Sequence, residues 1–119
     1  MFESIENAYN EQTDPLFPAS LGHVQELSHT EGVDELTKLS REGYLLLKAN
    51  EIDRAEAEFK KMLELDENNN YALVGLGDAA RKRNKCKEAA EYYSECLRHH
   101  PGNNYALFGL ADCYKNMNL

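Results

Sequence analysis

Apolar residues recur along this chain at the three- and four-residue spacing of helices, and short polar breaks interrupt the spacing at regular intervals. Leu36, Leu39, Gly43, Leu46 and Leu47 form one stripe. Ile52, Ala55, Phe59, Met62 and Leu63 form the next, with Lys48-Ala49-Asn50-Glu51 as the turn between them. Leu73, Leu76, Gly77 and Ala80 make a third stripe, and after Asn84-Lys85 the residues Ala89, Tyr92, Tyr93, Cys96 and Leu97 make a fourth. The connectors at 65–70 and 99–104 are rich in Asn, joined by Pro101 and Gly102 in the second, residue types that end one helix and cap another. The pattern predicts an all-α fold built of antiparallel helix pairs.

The pattern also repeats. Residues 70–78 read Asn-Tyr-Ala-Leu-Val-Gly-Leu-Gly-Asp, and 34 positions on, residues 104–112 read Asn-Tyr-Ala-Leu-Phe-Gly-Leu-Ala-Asp. The same shift backwards places Gly77 on Gly43 and Ala89 on Ala55. With these residues the chain resembles the tetratricopeptide repeat family. The family's spacing is met in the second unit by Leu73, Leu76-Gly77, Ala80, Ala89, Tyr93, Cys96 and Pro101, with Leu73 where Trp is common and Ala80 where Tyr is common. The first unit matches at Leu39, Gly43, Leu46, Ala55, Phe59 and Met62, but has Glu42 in place of Leu and Glu67 in place of Pro. A third unit keeps Leu107, Leu110, Ala111 and Tyr114. The resemblance implies an α-solenoid with right-handed stacking, about two and a half units long, over residues 34–119: units 36–69 and 70–103, and a truncated unit 104–119. The third unit has a first helix and no second, which leaves the face of Leu110 and Tyr114 partly uncovered. Residues 1–33 stand outside the repeat. They read either as a flexible leader, or as a segment that docks on the repeat through Leu16, Phe17, Leu21, Val24 and Leu27.

Composition narrows the function. Among 119 residues, 21 acidic against 13 basic side chains give a net charge of −8, which excludes general binding to nucleic acid, since that depends on clustered Lys and Arg. No apolar run approaches the roughly 20 residues that cross a bilayer. The first residues, Met1-Phe2-Glu3-Ser4-Ile5-Glu6, carry acids where a secretory signal carries cations. Three cysteines, an odd number, fit free thiols in the cytoplasm better than a disulfide framework. The expectation is a soluble, acidic, cytoplasmic module with no membrane contact.

In stacked helix pairs the first helix of each unit lines the concave side. By the repeat register that side carries Thr37, Ser40, Tyr44, Leu47 and Lys48, then Tyr71, Val74, Asp78, Arg81 and Lys82, then Tyr105, Phe108, Asp112 and Lys115. The candidate partner-binding residues are Tyr44, Tyr71, Val74, Asp78, Tyr105, Phe108 and Asp112. Tyrosines and apolar residues would anchor a protein or peptide while Asp78 and Asp112 meet a basic residue. Equally, each Asp reads as a solvated position or as an ion-pair partner of Arg81 or Lys115. Gly75 and Gly109 sit inside a helix at a cost of roughly 0.5–1 kcal/mol each against Ala. Their reason is either a close ligand backbone or a neighbouring helix. Family members that clamp a chaperone's C-terminal carboxylate use Lys, Asn, Asn, Lys and Arg in the groove; Ser40, Tyr44, Gly75, Tyr105 and Gly109 stand at those positions, which disfavours that role.

Catalytic, cofactor and metal signals are weak. Cys96, His99 and His100 have a ligand-like spacing, but Cys96 falls at a packing position and the two His at a helix end that favours cations. Cys86 and Cys113 lack a nearby acid–base pattern, and Gly75-Leu76-Gly77 lies within a helical stripe rather than in a phosphate loop. The basic run Arg81 to Lys87 reads as a solvated corner or, alternatively, as a patch for an acidic partner. The sequence therefore predicts a noncatalytic protein-interaction scaffold with no cofactor and no metal. The alternative is a self-assembly element, a homo-oligomer joined through the incomplete third unit or the leader.

Overall fold

The computed structural model describes residues 31–118, with side chains from Asp34 onward. Both expectations for the leader, including the docking of Leu16, Phe17, Leu21, Val24 and Leu27, lie outside the described residues. Five helices follow one another: α1 (Glu31–Lys48), α2 (Ile52–Leu65), α3 (Asn70–Lys82), α4 (Cys86–His99) and α5 (Asn104–Asn116). The fold is all-α, with no strand among the described residues. The most extensive packing is of α1 on α2 and of α3 on α4, and the pairs join through α2 on α3 and α4 on α5. First helices α1, α3 and α5 form one layer of the solenoid and second helices α2 and α4 the other.

The breaks between helices obey the 34-residue period at the level of single atoms. Asn69 and Asn103 cap α3 and α5, their side-chain oxygens each accepting from the backbone N–H of the residue three along, Ala72 and Ala106, at 3.0 Å. Such a cap is worth about 1 kcal/mol relative to Ala. After α1, α3 and α5 the chain turns through Asn50, Asn84 and Asn118, all in the left-handed region with φ near 60°. Asn tolerates that region better than most residues. At the first two of these turns the N–H beyond the Asn reaches back to close the helix, from Glu51 to the Leu46 carbonyl at 2.8 Å and from Lys85 to the Ala80 carbonyl at 2.9 Å.

Two aromatic rings occupy the centre. Phe59 of α2 and Tyr93 of α4 are completely buried. A Cβ on Gly43 would lie 2.6 Å from a ring carbon of Phe59, and one on Gly77 2.6 Å from a ring carbon of Tyr93. Cβ atoms on Gly75 and Gly109 would come closer still to the same two rings. Each ring is therefore clasped between a glycine of its own unit's first helix and a glycine of the next. That contact accounts for Gly75 and Gly109: a neighbouring ring, not a ligand, occupies the space. Around Phe59 pack Leu39, Tyr44, Leu47, Ala55, Met62, Ala72 and Leu76. Around Tyr93 pack Leu73, Val74, Ala89, Cys96, Ala106 and Cys113.

In an open helix, Gly to Ala stabilises by up to about 1 kcal/mol. At Gly75 the new methyl would displace a fully buried ring, and overpacking of this kind costs about 1–3 kcal/mol. Gly75→Ala is therefore expected to lower the urea midpoint, and Phe59→Leu in the same chain to recover part of the loss. Additive effects of the two substitutions would show that the ring and the glycine do not meet.

Candidate peptide-binding face

The seven candidate residues divide by depth. Phe108 is exposed, Tyr71 and Tyr105 are half-buried, and Tyr44, Val74, Asp78 and Asp112 are buried. Tyr44 lies edge-on to Phe59 with ring centres 4.9 Å apart, and its hydroxyl donates to the Tyr71 carbonyl oxygen at 2.8 Å. It ties α1 to the start of α3. Val74 belongs to the apolar cluster around Tyr93.

The two carboxylates have partners inside the stack. The Tyr93 hydroxyl donates to Asp78 Oδ1, and Arg81 Nη2 stands 4.0 Å from the same oxygen. Arg81 Nη1 donates to Asp112 Oδ2 at 3.2 Å. Asp78, Arg81 and Asp112 are all buried. One guanidinium thus bridges α3 and α5, and one phenol joins α4 to them. Burial, with the Asp78 carboxylate beside it, holds the Tyr93 hydroxyl well above the usual tyrosine range. These contacts put Asp78 and Asp112 against Arg81, as the ion-pair alternative had it, and leave them poorly placed to meet a basic residue from outside. The Tyr93 link was not anticipated: the sequence shows an aromatic at this register, not what its hydroxyl needs.

The repeat provides an internal control for exposure. Leu73 is 4% exposed and its counterpart Leu107 46%; Val74 is 1% exposed and its counterpart Phe108 54%. Tyr114, at the register of the buried Ala80, is exposed as well. Leu107, Phe108 and Tyr114 fall along α5 on the side that α3 presents to its neighbours. Beside Tyr114 a cleft of about 600 Å³ opens between α4 and the end of α5, lined by Ala90, Glu91, Ser94, Arg98 and Met117 among others.

The remaining candidates resolve into local contacts. Cys96 is buried with its thiol 4.0 Å from the Asn70 carbonyl, His99 meets Glu95 at 3.2 Å, and His100 Nε2 meets the Asn68 carbonyl at 2.7 Å. Among the described residues no group of three or more His, Cys, Asp or Glu is placed to hold a metal ion. The basic run is not a solvated corner throughout: Arg81 is buried against Asp78 and Asp112, and Arg83 pairs with Asp53 and Glu56 of α2, joining the two units on their second-helix side.

A tetratricopeptide repeat family model matches residues 40–95 and again residues 74–114, and the chain belongs to that family. No curated protein matches it. Among the described residues, no helix is long and apolar enough to cross a membrane.

Arg81 compensates two buried carboxylates, and removing one member of such a group costs about 3–5 kcal/mol because the others are left uncompensated. Arg81→Ala is expected to lose that much in urea unfolding, or to leave the chain partly unfolded. A loss below about 1 kcal/mol would show that water already reaches the carboxylates.

Burial raises the thiols of Cys96 and Cys113 from their ordinary 9.0 to about 11, and raises the Tyr93 hydroxyl too. Groups with a raised folded-state pKa contribute stability that is fully present below the unfolded value. It is lost as pH climbs through the folded one. Stability is thus expected to fall between about pH 9 and 11, with Tyr93 adding to the fall above pH 10. Urea midpoints measured across that range should slope down, and Cys96→Ala with Cys113→Ala should flatten the lower part of the slope.

Proposed function

We propose that this chain is a noncatalytic, cytoplasmic interaction module that holds a peptide or partner helix along its first-helix face. Tetratricopeptide repeats generally mediate protein–protein interaction. In this reading Tyr71, Tyr105 and Phe108 make the contacts, while Tyr44, Val74, Asp78 and Asp112 hold those three in place from beneath. Lys48, Lys82 and Lys115, at the ends of the three first helices, form a charged rim. The observation that carries the reading is Phe108, an aromatic ring more than half exposed at a register where the preceding unit buries a valine. Exposed aromatic anchors of this type dominate binding energy at interfaces, and rim charges chiefly set on-rate and salt dependence.

A second reading is self-assembly, favoured by the stripe of Leu107, Phe108 and Tyr114 on α5. Three side chains cover far less than the roughly 1,200 Å² of a stable interface, so this pairing would be weak.

Binders selected from a displayed random-peptide library test the first reading. Phe108→Ala or Tyr105→Ala is expected to weaken them by about 2 kcal/mol, roughly thirtyfold, with helical content unchanged. Lys115→Gln should weaken them mainly at low salt. Binders indifferent to Phe108 and Tyr105 would overturn it. A dimer in sedimentation that disappears with Leu107→Ser would favour the second reading.

A further inference from the structure

Two cysteines meet at the joint between α4 and α5. Cys86 is the first residue of α4 and half-buried; Cys113, on α5, is completely buried. Their thiols are hydrogen-bonded neighbours at the edge of the cluster around Tyr93. Burial holds the Cys113 thiol protonated, and the hydrogen bond acts in the same direction, so Cys113 donates its S–H to the Cys86 sulfur.

Packing does not require cysteine at this place. One period earlier the same two registers hold Ile52, half-buried, and Ala79, completely buried, in the cluster around Phe59. That joint closes with an aliphatic pair. The third cysteine, Cys96, lies ten residues along α4 from Cys86, about 15 Å by helical rise, with its thiol near the Asn70 carbonyl. It stands apart from the pair. An accessible thiol with a second thiol directly behind it is the arrangement in which oxidation of the first is resolved by the second.

We infer that Cys86 and Cys113 form a reversible disulfide that links α4 to α5, with a small-molecule disulfide such as oxidised glutathione as the oxidant. The Cys86 thiolate attacks one sulfur of the oxidant, whose S–S bond breaks; the other half leaves as a thiolate and takes up a proton. Cys113, its proton lost to water, then attacks the Cys86 sulfur, and the second glutathione leaves in the same way. In sum, two protein thiols are oxidised to one disulfide and one glutathione disulfide is reduced to two thiols. The bonded sulfurs stand about 2.05 Å apart, a separation that two touching thiols reach by side-chain rotation.

The bond closes residues 86–113 into a loop and pins α5, the helix of Tyr105 and Phe108, to its neighbour. In a reducing compartment such a bond forms and reverts, and so reports oxidation. The inference does not depend on the groove reading.

The resolving step sets the pace, because it needs the Cys113 thiolate. Around Cys113 stand Arg81 of α3, Cys86 and Tyr93 of α4 and Asp112 of its own helix; Arg81 favours the thiolate, and Cys86 and Asp112 oppose it. With the thiol at about 11, the thiolate fraction near neutral pH is small and grows about tenfold with each pH unit.

The test treats the full chain with oxidised glutathione and follows its intact mass. The parent is expected to lose two hydrogens, and peptide mapping without reductant to join Cys86 to Cys113 with Cys96 free; dithiothreitol should restore the starting mass. Conversion of the Cys86–glutathione adduct to the internal disulfide should accelerate about tenfold between pH 7 and 8. Cys113→Ala should stop at the adduct. Hydrogen exchange in α5 should slow at least about tenfold in the oxidised chain. Cys86→Ile with Cys113→Ala, which restores the pair of the preceding joint, should keep the exchange of the reduced parent and ignore the oxidant. No reaction at Cys86, an adduct that persists in the parent, a bond to Cys96, a dimer joined through Cys86, or α5 exchange that does not slow would each overturn the inference.

Discussion

Each joint of this solenoid depends on one aromatic ring held between two glycines. Phe59 touches Gly43 within its unit and Gly75 in the next; Tyr93 touches Gly77 and Gly109 in the same way. Packing within a unit and packing between units are thus the same contact. A helix pair taken alone would leave one side of its ring exposed, so neither pair has a complete core without its neighbour. The glycines lower intrinsic helix stability, and the interface they admit outweighs that loss only because the ring is bound on both faces.

The two joints solve one problem in opposite ways. In the first, the second-helix ring is Phe59 and the hydroxyl sits on its partner Tyr44, which sends it to the Tyr71 carbonyl at 2.8 Å. In the second, the equivalent ring is Tyr93, and its hydroxyl brings a hydrogen-bonding group into the core. The residue at the register of Tyr44 is now Asp78, which accepts that hydrogen bond. A buried carboxylate requires a countercharge, and Arg81 provides it where the first unit has Leu47. The guanidinium has capacity to spare, and Asp112 takes it up from the next unit. One extra oxygen atom on a core ring thus leads, by successive requirements for a partner, to an ionic link between α3 and α5. Such a link adds little net stability compared with apolar packing, but it defines which unit follows which.

The sequence made the architecture readable because period and packing coincide. The 34-residue shift aligned Gly43 with Gly77 and Ala55 with Ala89, and the recurrent Asn marked both caps and turns. The candidate face was less readable. Register shows that Val74 and Phe108 are equivalent, but not that one is covered and the other exposed, because that depends on what lies beyond each helix. Asp78 and Asp112 likewise occupy a position that suits a groove as well as a core; only the hydroxyl of Tyr93 and the reach of Arg81 from one unit to the next turn both inward. Tyr44 shows the same ambiguity, since its ring packs in the core while its hydroxyl reaches the adjacent helix.

Net charge is a poor guide to what such a surface prefers. A value of −8 suggests a cationic partner, and a pair of recurring aspartates on the first helices offers, by register alone, the contacts for one. Layer by layer the balance differs. The acids of α2 and α4 lie on the second-helix side, where Asp53 and Glu56 pair with Arg83 across the joint. The aspartates of α3 and α5 answer to Arg81. Along the first helices stand Lys48, Lys82 and Lys115 in the last turns, and Asp34, Glu35 and Glu42 on α1. Coulomb interactions between exposed groups fade over a Debye length of about 8 Å at physiological salt, whereas the two layers are separated by roughly a helix diameter of 10 Å. A ligand on the first-helix face therefore responds to the charges nearest it and only weakly to those of the other layer, and six of the eight net negative charges fall on residues 1–33, before the repeats.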